Sequence, residues 1–229
     1  MPNINLKYAS LLHLLQLASP ALPVGAYSYS EGIETLVSRE IITDVDSLKL
    51  WLEQELNLGA IQLESAIVLR AYRAIVNNDR PALIYWNSWL SAARETEELR
   101  NQSWQMGSAL SRLIVKINPK TEFFVSAIGS PVNYAIAFGI AAASWHIDER
   151  SMLLGYLQSW ATNLIGVGVK LIPLGQTSGQ QLLLELQHPI VSATDNIITL
   201  EDDDLSSWGW GLSLASMAHE TLYSRLFRS

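Results

Sequence analysis

No cysteine occurs anywhere in the chain. That excludes disulfides, thiolate metal sites and thiol nucleophiles, and it agrees with a reducing compartment. Charge is scarce as well: only 16% of the 229 residues are charged, and 22 acidic residues outnumber 15 basic ones. A net charge of -7 with a pI near 5.1 argues against a nucleic-acid footprint. The four histidines, His13, His146, His188 and His219, have no partner histidine within helical reach. His219-Glu220 begins like a zinc-protease motif, but Tyr223 stands where the second histidine belongs. Nothing selects a metal site shared by His13, His146 or His219 across two copies of the chain. A phosphate loop is also missing. Gly166-Val-Gly168-Val-Lys170 has the wrong spacing, no Ser or Thr after the lysine and no strand before it. No nucleophile-elbow motif supports a Ser–His–Asp arrangement. The first 23 residues carry only Lys7 as a basic side chain, and His13 interrupts their apolar run, which reads against a signal peptide. Ser151 to Val169 is uncharged and long enough for a bilayer. Gln158, Ser159, Thr162 and Asn163 spread polarity through it, so the expected structure is a buried central helix.

What is present is helix. Hydrophobic residues make up 49% of the chain, and they recur at three- and four-residue spacings. Asp44 or Asp46 can cap a helix facing inward through Leu48, Trp51, Leu52 and Leu56. Leu63, Ala66, Ile67, Ala71, Ala74 and Ile75 form the next face, broken at Asn77-Asn78-Asp79. Pro81 suits the first turn of a helix burying Leu83, Trp86, Leu90 and Ala93. Leu99, Met106, Leu110, Leu113, Ile114 and Ile117 follow, ended by Asn118-Pro119. At the start of that segment Arg94, Glu95, Glu97, Glu98 and Arg100 read as a solvated face with an Arg94–Glu98 pair. Ser130-Pro131 reads as a helix start, and Tyr134 to Trp145 is apolar nearly all round. Asp148 starts the long uncharged helix, which Pro173 ends. Thr177 and Gln180 have capping-box spacing, and Pro189 is expected to stop the helix after them. Ile197 to Leu200 fits a brief strand or a turn, and Glu201 to Asp204 a solvated loop or helix start. Leu214, Ala218, Leu222 and Leu226 read as an amphipathic C-terminal helix, with Arg225 and Arg228 at its negative end. The expected fold is all-α: a single domain over residues 1–229, a bundle of about ten helices, without repeats or linkers.

One stretch departs from helical periodicity. Leu15 to Glu34 packs Pro20, Pro23, Gly25 and Gly32 between two apolar segments, with Tyr27 and Tyr29 in the corner. Ser28 and Glu31 have capping-box spacing, which predicts a helix from Ser28. The plain alternative is a rigid elbow between helices. With no catalytic motif in view, the composition suits an interaction protein, its candidate contacts being this corner and the C-terminal helix. A helical enzyme using buried carboxylates such as Glu31, Glu34 or Glu64 is the competing reading.

Four blocks carry a resemblance: LLQLASPALPVGAYSYSEGIE (Leu14–Glu34), ARETEELRNQSWQMGSAL (Ala93–Leu110), VKLIPLGQTSGQQLL (Val169–Leu183) and SMAHETLYSRLFRS, which ends the chain at Ser229. Together they resemble the urease accessory protein family UreF, in order and nearly end to end. Ile33 and Ala218 depart from commoner residues of the family. The resemblance implies a helical, non-enzymatic maturation chaperone: a cytoplasmic homodimer that binds UreD/UreH, recruits the GTPase UreG and docks on apo-urease for nickel insertion. It implies no membrane, no nucleic acid, no directly bound cofactor and no metal ligands in this chain; the partner binds GTP and the complex handles nickel. It further implies that residues 212–229 are a partner-binding segment. Tyr223, Arg225, Leu226 and Phe227 match contact positions there, Tyr27 matches a partner-binding position, and Lys170 a basic position linked to control of the GTPase.

Overall fold

The computed structural model describes residues 6–206, 209–219, 222 and 225–228. Among these lie twelve α-helices, three single-turn 3₁₀ segments and no strand. In chain order the helices are α1 (Leu6–Leu17), α2 (Ile33–Ser38), α3 (Val45–Leu58), α4 (Ala60–Val76), α5 (Arg80–Ala93) and α6 (Glu97–Ile117). They continue as α7 (Glu122–Ile128), α8 (Tyr134–Ser144), α9 (Glu149–Leu171), α10 (Gln176–Glu185), α11 (Gln187–Thr199) and α12 (Trp210–His219).

Short polar side chains start several of them, at Asp44 and Asp148 as expected and at Asp79 and Thr96 in addition. Asp44 accepts from the Ser47 amide at 2.9 Å while Ser47 Oγ accepts from the Asp44 amide at 3.1 Å, a reciprocal cap on α3. Asp79, with Pro81 just behind it, caps α5; Thr96 caps α6; Asp148 caps α9.

The centre of the bundle is α8 lying along α4. From Ala135 to Ala143 every residue of α8 is buried, which is what a segment apolar on all sides requires. The two backbones approach closely at Gly139. A Cβ there would sit 2.8 Å from the Val68 carbonyl oxygen and from Ala71 Cβ. Around this pair, α5 and α9 pack on α4 and α6 packs on α8, while α12 rests on α2. No helix among the described residues is long and apolar enough to cross a membrane. The uncharged part of α9 is instead a bundle helix, burying Met152, Leu153, Leu157, Trp160 and Leu164.

Several local expectations fail for identifiable reasons. Pro189 does not stop a helix; it is the third residue of α11. That position's N–H would have no intrahelical acceptor, so proline loses nothing there. Residues 197–199 are consequently helical. Helix α10 begins at Gly175 with no side-chain cap, so the Thr177–Gln180 box does not form. Ser130-Pro131 is a cis peptide in a loop, and α8 starts after Asn133. The Asn133 side chain donates to Asn87 and Ser91 instead, tying the loop to α5.

The C-terminal helix presents the opposite face from the one predicted. Leu214 is 60% exposed and Leu226 75% exposed, whereas Leu212, Ala215, Ser216 and His219 are buried. Helix α12 ends at His219, so Leu226, Arg225 and Arg228 are not helical. The inward stripe was masked by its polar members. Ser216 is satisfied by Thr96 (Oγ to Oγ1, 3.0 Å) and His219 by Glu34. Trp208 and Tyr223 lie outside the described residues.

Candidate functional site

The proline-rich corner is a folded turn. Gly25 adopts a left-handed conformation (φ 80°), Ala26–Ser28 make one 3₁₀ turn, and Ser28 Oγ donates to the Gly25 carbonyl at 2.7 Å. The two tyrosines separate in role. Tyr29 is buried and its hydroxyl donates to Gln105 Oε1 at 2.7 Å, while Tyr27 is 70% exposed. The predicted helix from Ser28 does not form; α2 starts at Ile33 behind Gly32. Glu31 is the reason. It turns inward with φ 48°, a costly value for a residue with a Cβ, and both its carboxylate oxygens are held. Gln102 Nε2 donates to one at 3.0 Å and Trp160 Nε1 to the other at 2.9 Å.

Glu31 thereby reaches a cavity of about 240 Å³ beneath the corner. Glu64 and Arg94 share it, with Tyr134, Tyr156 and Trp160 as aromatic walls, and exposed Tyr27 and Lys170 also line it. Arg94 Nη2 lies 2.6 Å from Glu64 Oε2, both side chains being largely buried. The charge cluster around residue 94 is therefore not a plain solvated face. Arg94 precedes α6 and pairs with α4, and Glu98 turns toward α12 and the C-terminal segment. Burial, reinforced by Glu64, raises the Glu31 carboxyl above its ordinary range. Beside it Glu55 is pushed up to about 7, again chiefly by burial and then by the charge of Glu31. Glu31 and Glu64 do share one cavity, but Arg94 neutralises Glu64 there. Glu34 is elsewhere, with His219. No group of three His, Asp or Glu side chains among the described residues could hold a metal ion.

The end of the chain returns to this corner. The Leu226 amide donates to Glu34 Oε1 at 2.6 Å and the Phe227 amide to Glu34 Oε2 at 3.2 Å. The Arg228 amide donates to the Ser28 carbonyl at 2.8 Å, directly after Tyr27. Phe227 is buried, and its ring centroid is 5.4 Å from the Lys170 ammonium. Arg225 Nη1 is 4.0 Å from Glu98 Oε1. Five of the six residues singled out by sequence, Tyr27, Lys170, Arg225, Leu226 and Phe227, thus come together at one corner, and the sixth, Tyr223, lies outside the described residues.

The comparisons decide what kind of protein carries this corner. The UreF family model matches residues 42–187. The urease accessory protein UreF of Nostoc sp. is 63% identical over 218 residues, covering 95% of both chains. Its counterpart in Trichormus variabilis is 59% identical over 229 residues, covering both chains completely. The chain belongs to the UreF family. At greater distance, the urease accessory protein UreF of Chromohalobacter salexigens is 39% identical over 222 residues, covering 96% of this chain and 95% of its own. A UreF chain is an accessory protein and not a catalyst, which removes the carboxylate-enzyme reading. Sequence inspection weighed Glu34 as a catalytic carboxylate and His219 as a metal ligand, and missed that His219 pairs with Glu34, which accepts from the UreF tail. The buried pairing of two polar residues 185 positions apart leaves no local pattern. The only available sign was that both fall inside the blocks that carry the family resemblance.

Proposed function

We propose that the chain is a urease maturation chaperone that works by protein contact in the cytoplasm. It binds a UreD/UreH-type scaffold, and the pair recruits the GTPase UreG and docks on apo-urease. Nickel is the cargo inserted there, and UreG supplies the GTP site. UreF family membership over nearly the whole chain supports an accessory role to urease. The single structural observation behind the contact surface is the convergence of Tyr27, Lys170 and residues 225–228 on one corner. A homodimer is part of the proposal. Tyr8, Leu11, Leu12 and Leu15 recur at three- and four-residue spacing on α1 and are all more than half exposed, an apolar face suited to another protein.

Two variants test the contact surface. Arg225→Ala and a chain ending after Leu222 should retain less UreD/UreH scaffold and less UreG in a pull-down. Their circular dichroism should match that of the full chain, since neither change removes a residue of a described helix. Undiminished capture of both proteins by the shortened chain would overturn the assignment of the surface. A loss of helix content on shortening would reassign the tail to the core.

A further inference from the structure

Glu31, Glu64 and Arg94 are the buried charges of the cavity beneath the corner. The Arg94 side chain is only 9% exposed, and its Nη2 is engaged by Glu64 at 2.6 Å. Its Nε–H is also buried and has no hydrogen-bond partner, a costly state for a donor removed from water. Tyr156 is hydrogen-bonded to Glu64 and so does not serve that donor. Glu31 is held in the cavity against its backbone preference, with φ 48°. Each of its oxygens accepts one bond, from Gln102 and from Trp160. A carboxylate has about four acceptor positions, so Glu31 retains capacity for further donors.

Charge and size narrow what can fill the cavity. The charged residues that line it are two acids, Glu31 and Glu64, and two bases, Arg94 and Lys170. An anion meets two carboxylates there and a cation meets a guanidinium and an ammonium, so the lining suits a molecule without net charge. Most of the remaining wall is apolar, including Leu17, Met106 and Val167 and the rings of Tyr134, Tyr156 and Trp160. The volume is about 240 Å³. A cavity of about 150 Å³ admits one benzene ring, so there is room for a ring that carries one small polar group. The cavity reaches the surface beside exposed Tyr27 and Lys170, which gives a way in.

We propose that this cavity is a binding site for a small, uncharged primary carboxamide with an aromatic body. The amide oxygen accepts from Arg94 Nε, its NH₂ group donates to the Glu31 carboxylate, and the body packs against Tyr134, Tyr156 and Trp160. An amide supplies an acceptor and two donors in one neutral group, which matches an unpartnered N–H and a carboxylate with open acceptor positions in the same apolar cavity. The bound molecule undergoes no reaction. It fills a space walled by α4, α6, α8 and α9 and stabilises the folded chain by mass action. None of the described residues from 222 to 228 lines the cavity, so the site is separate from the tail and from the contact surface proposed above.

The test is a titration of the full chain with benzamide, benzoate, benzylammonium and toluene, followed through the Trp160 indole N–H resonance. Trp160→Phe assigns that resonance among the eight tryptophans. Benzamide should shift it saturably with a dissociation constant of about 1 mM, the affinity of about nine heavy atoms at modest efficiency. Benzoate and benzylammonium should bind at least about tenfold more weakly, because each brings an unpaired charge into the cavity. Toluene keeps the ring and lacks the amide. Arg94→Lys keeps a charge beside Glu64 and loses the Nε–H of the planar guanidinium; it should weaken benzamide by about tenfold and leave toluene unchanged. A Trp160 resonance unmoved by benzamide up to its solubility limit would overturn the site. Charged analogues that bind as tightly as benzamide would overturn its preference for a neutral ligand. Undiminished benzamide binding by Arg94→Lys would overturn the role of Arg94. If that variant does not fold, the unaltered chain decides: benzamide binding no tighter than toluene overturns the amide.

Discussion

At the scale of single residues, the buried carboxylates decide the most. Glu55 is held at about 7, against 4.5 for an unperturbed glutamate, first by burial and then by Glu31. Its folded-state value is raised, so the folded chain binds this proton more tightly than the unfolded chain does. The stability it contributes is complete below about pH 4.5 and is lost as pH rises through about 7, a change of about 3 kcal/mol. Glu55→Gln keeps an oxygen for the Ala60 amide and cannot ionise. It should stabilise the protein above pH 7 by up to about 3 kcal/mol. It should make little difference near pH 5. Urea unfolding midpoints of the two chains at pH 5 and pH 8 check this; equal midpoints at pH 8 would contradict it. The sequence offered Glu31 and Glu64 as candidate buried carboxylates, but neither Glu55 nor the way the three come near one another was legible in it. Glu31, Glu55 and Glu64 sit on three separate segments, and only the left-handed turn at Glu31 and the crossing of α3, α4 and α9 bring them near one another. Arg94 misled for a related reason. Spacing places it four residues before Glu98, but the helix begins between them, at Thr96, so the pair never shares a helical face.

At the scale of elements, sequence pattern was a good guide wherever one face was buried and one was wet. Helices α3 to α6 and α9 form where spacing puts them, with Asp44 and Asp148 capping α3 and α9 and most of the expected apolar stripes inward, although Ile117 at the end of α6 is 48% exposed. It failed where a proline or a polar side chain does something other than its commonest work. Pro189 opens a helix rather than closing one, and Ser216 and His219 occupy the buried face of α12 because each has a buried partner. The close approach of α8 to α4 at Gly139 was also invisible beforehand. Gly139→Ala places a methyl group against the α4 backbone at Val68, where nothing flexible can yield. It should destabilise the fold by about 1–3 kcal/mol, the usual cost of overpacking. The expected result is a lower denaturant midpoint with an unchanged slope. A midpoint equal to that of the unaltered chain would show that α4 and α8 can separate without cost.

For the whole molecule, the fold class was readable from periodicity alone, and the family from four blocks of sequence. The geometry of the proposed contact corner was not readable, because it joins residues 27–34, 170 and 225–228, parts of the chain that no local pattern connects. What the fold achieves is to gather them on one face of an α-helical accessory protein. The most direct test is reconstitution. Apo-urease, the UreD/UreH scaffold, UreG, GTP and nickel are combined with the full chain, with the chain ending after Leu222, or with neither, and nickel bound per urease active site is measured. The account predicts nickel loading with the full chain and little with the other two. Equal loading in the absence of this chain would contradict it.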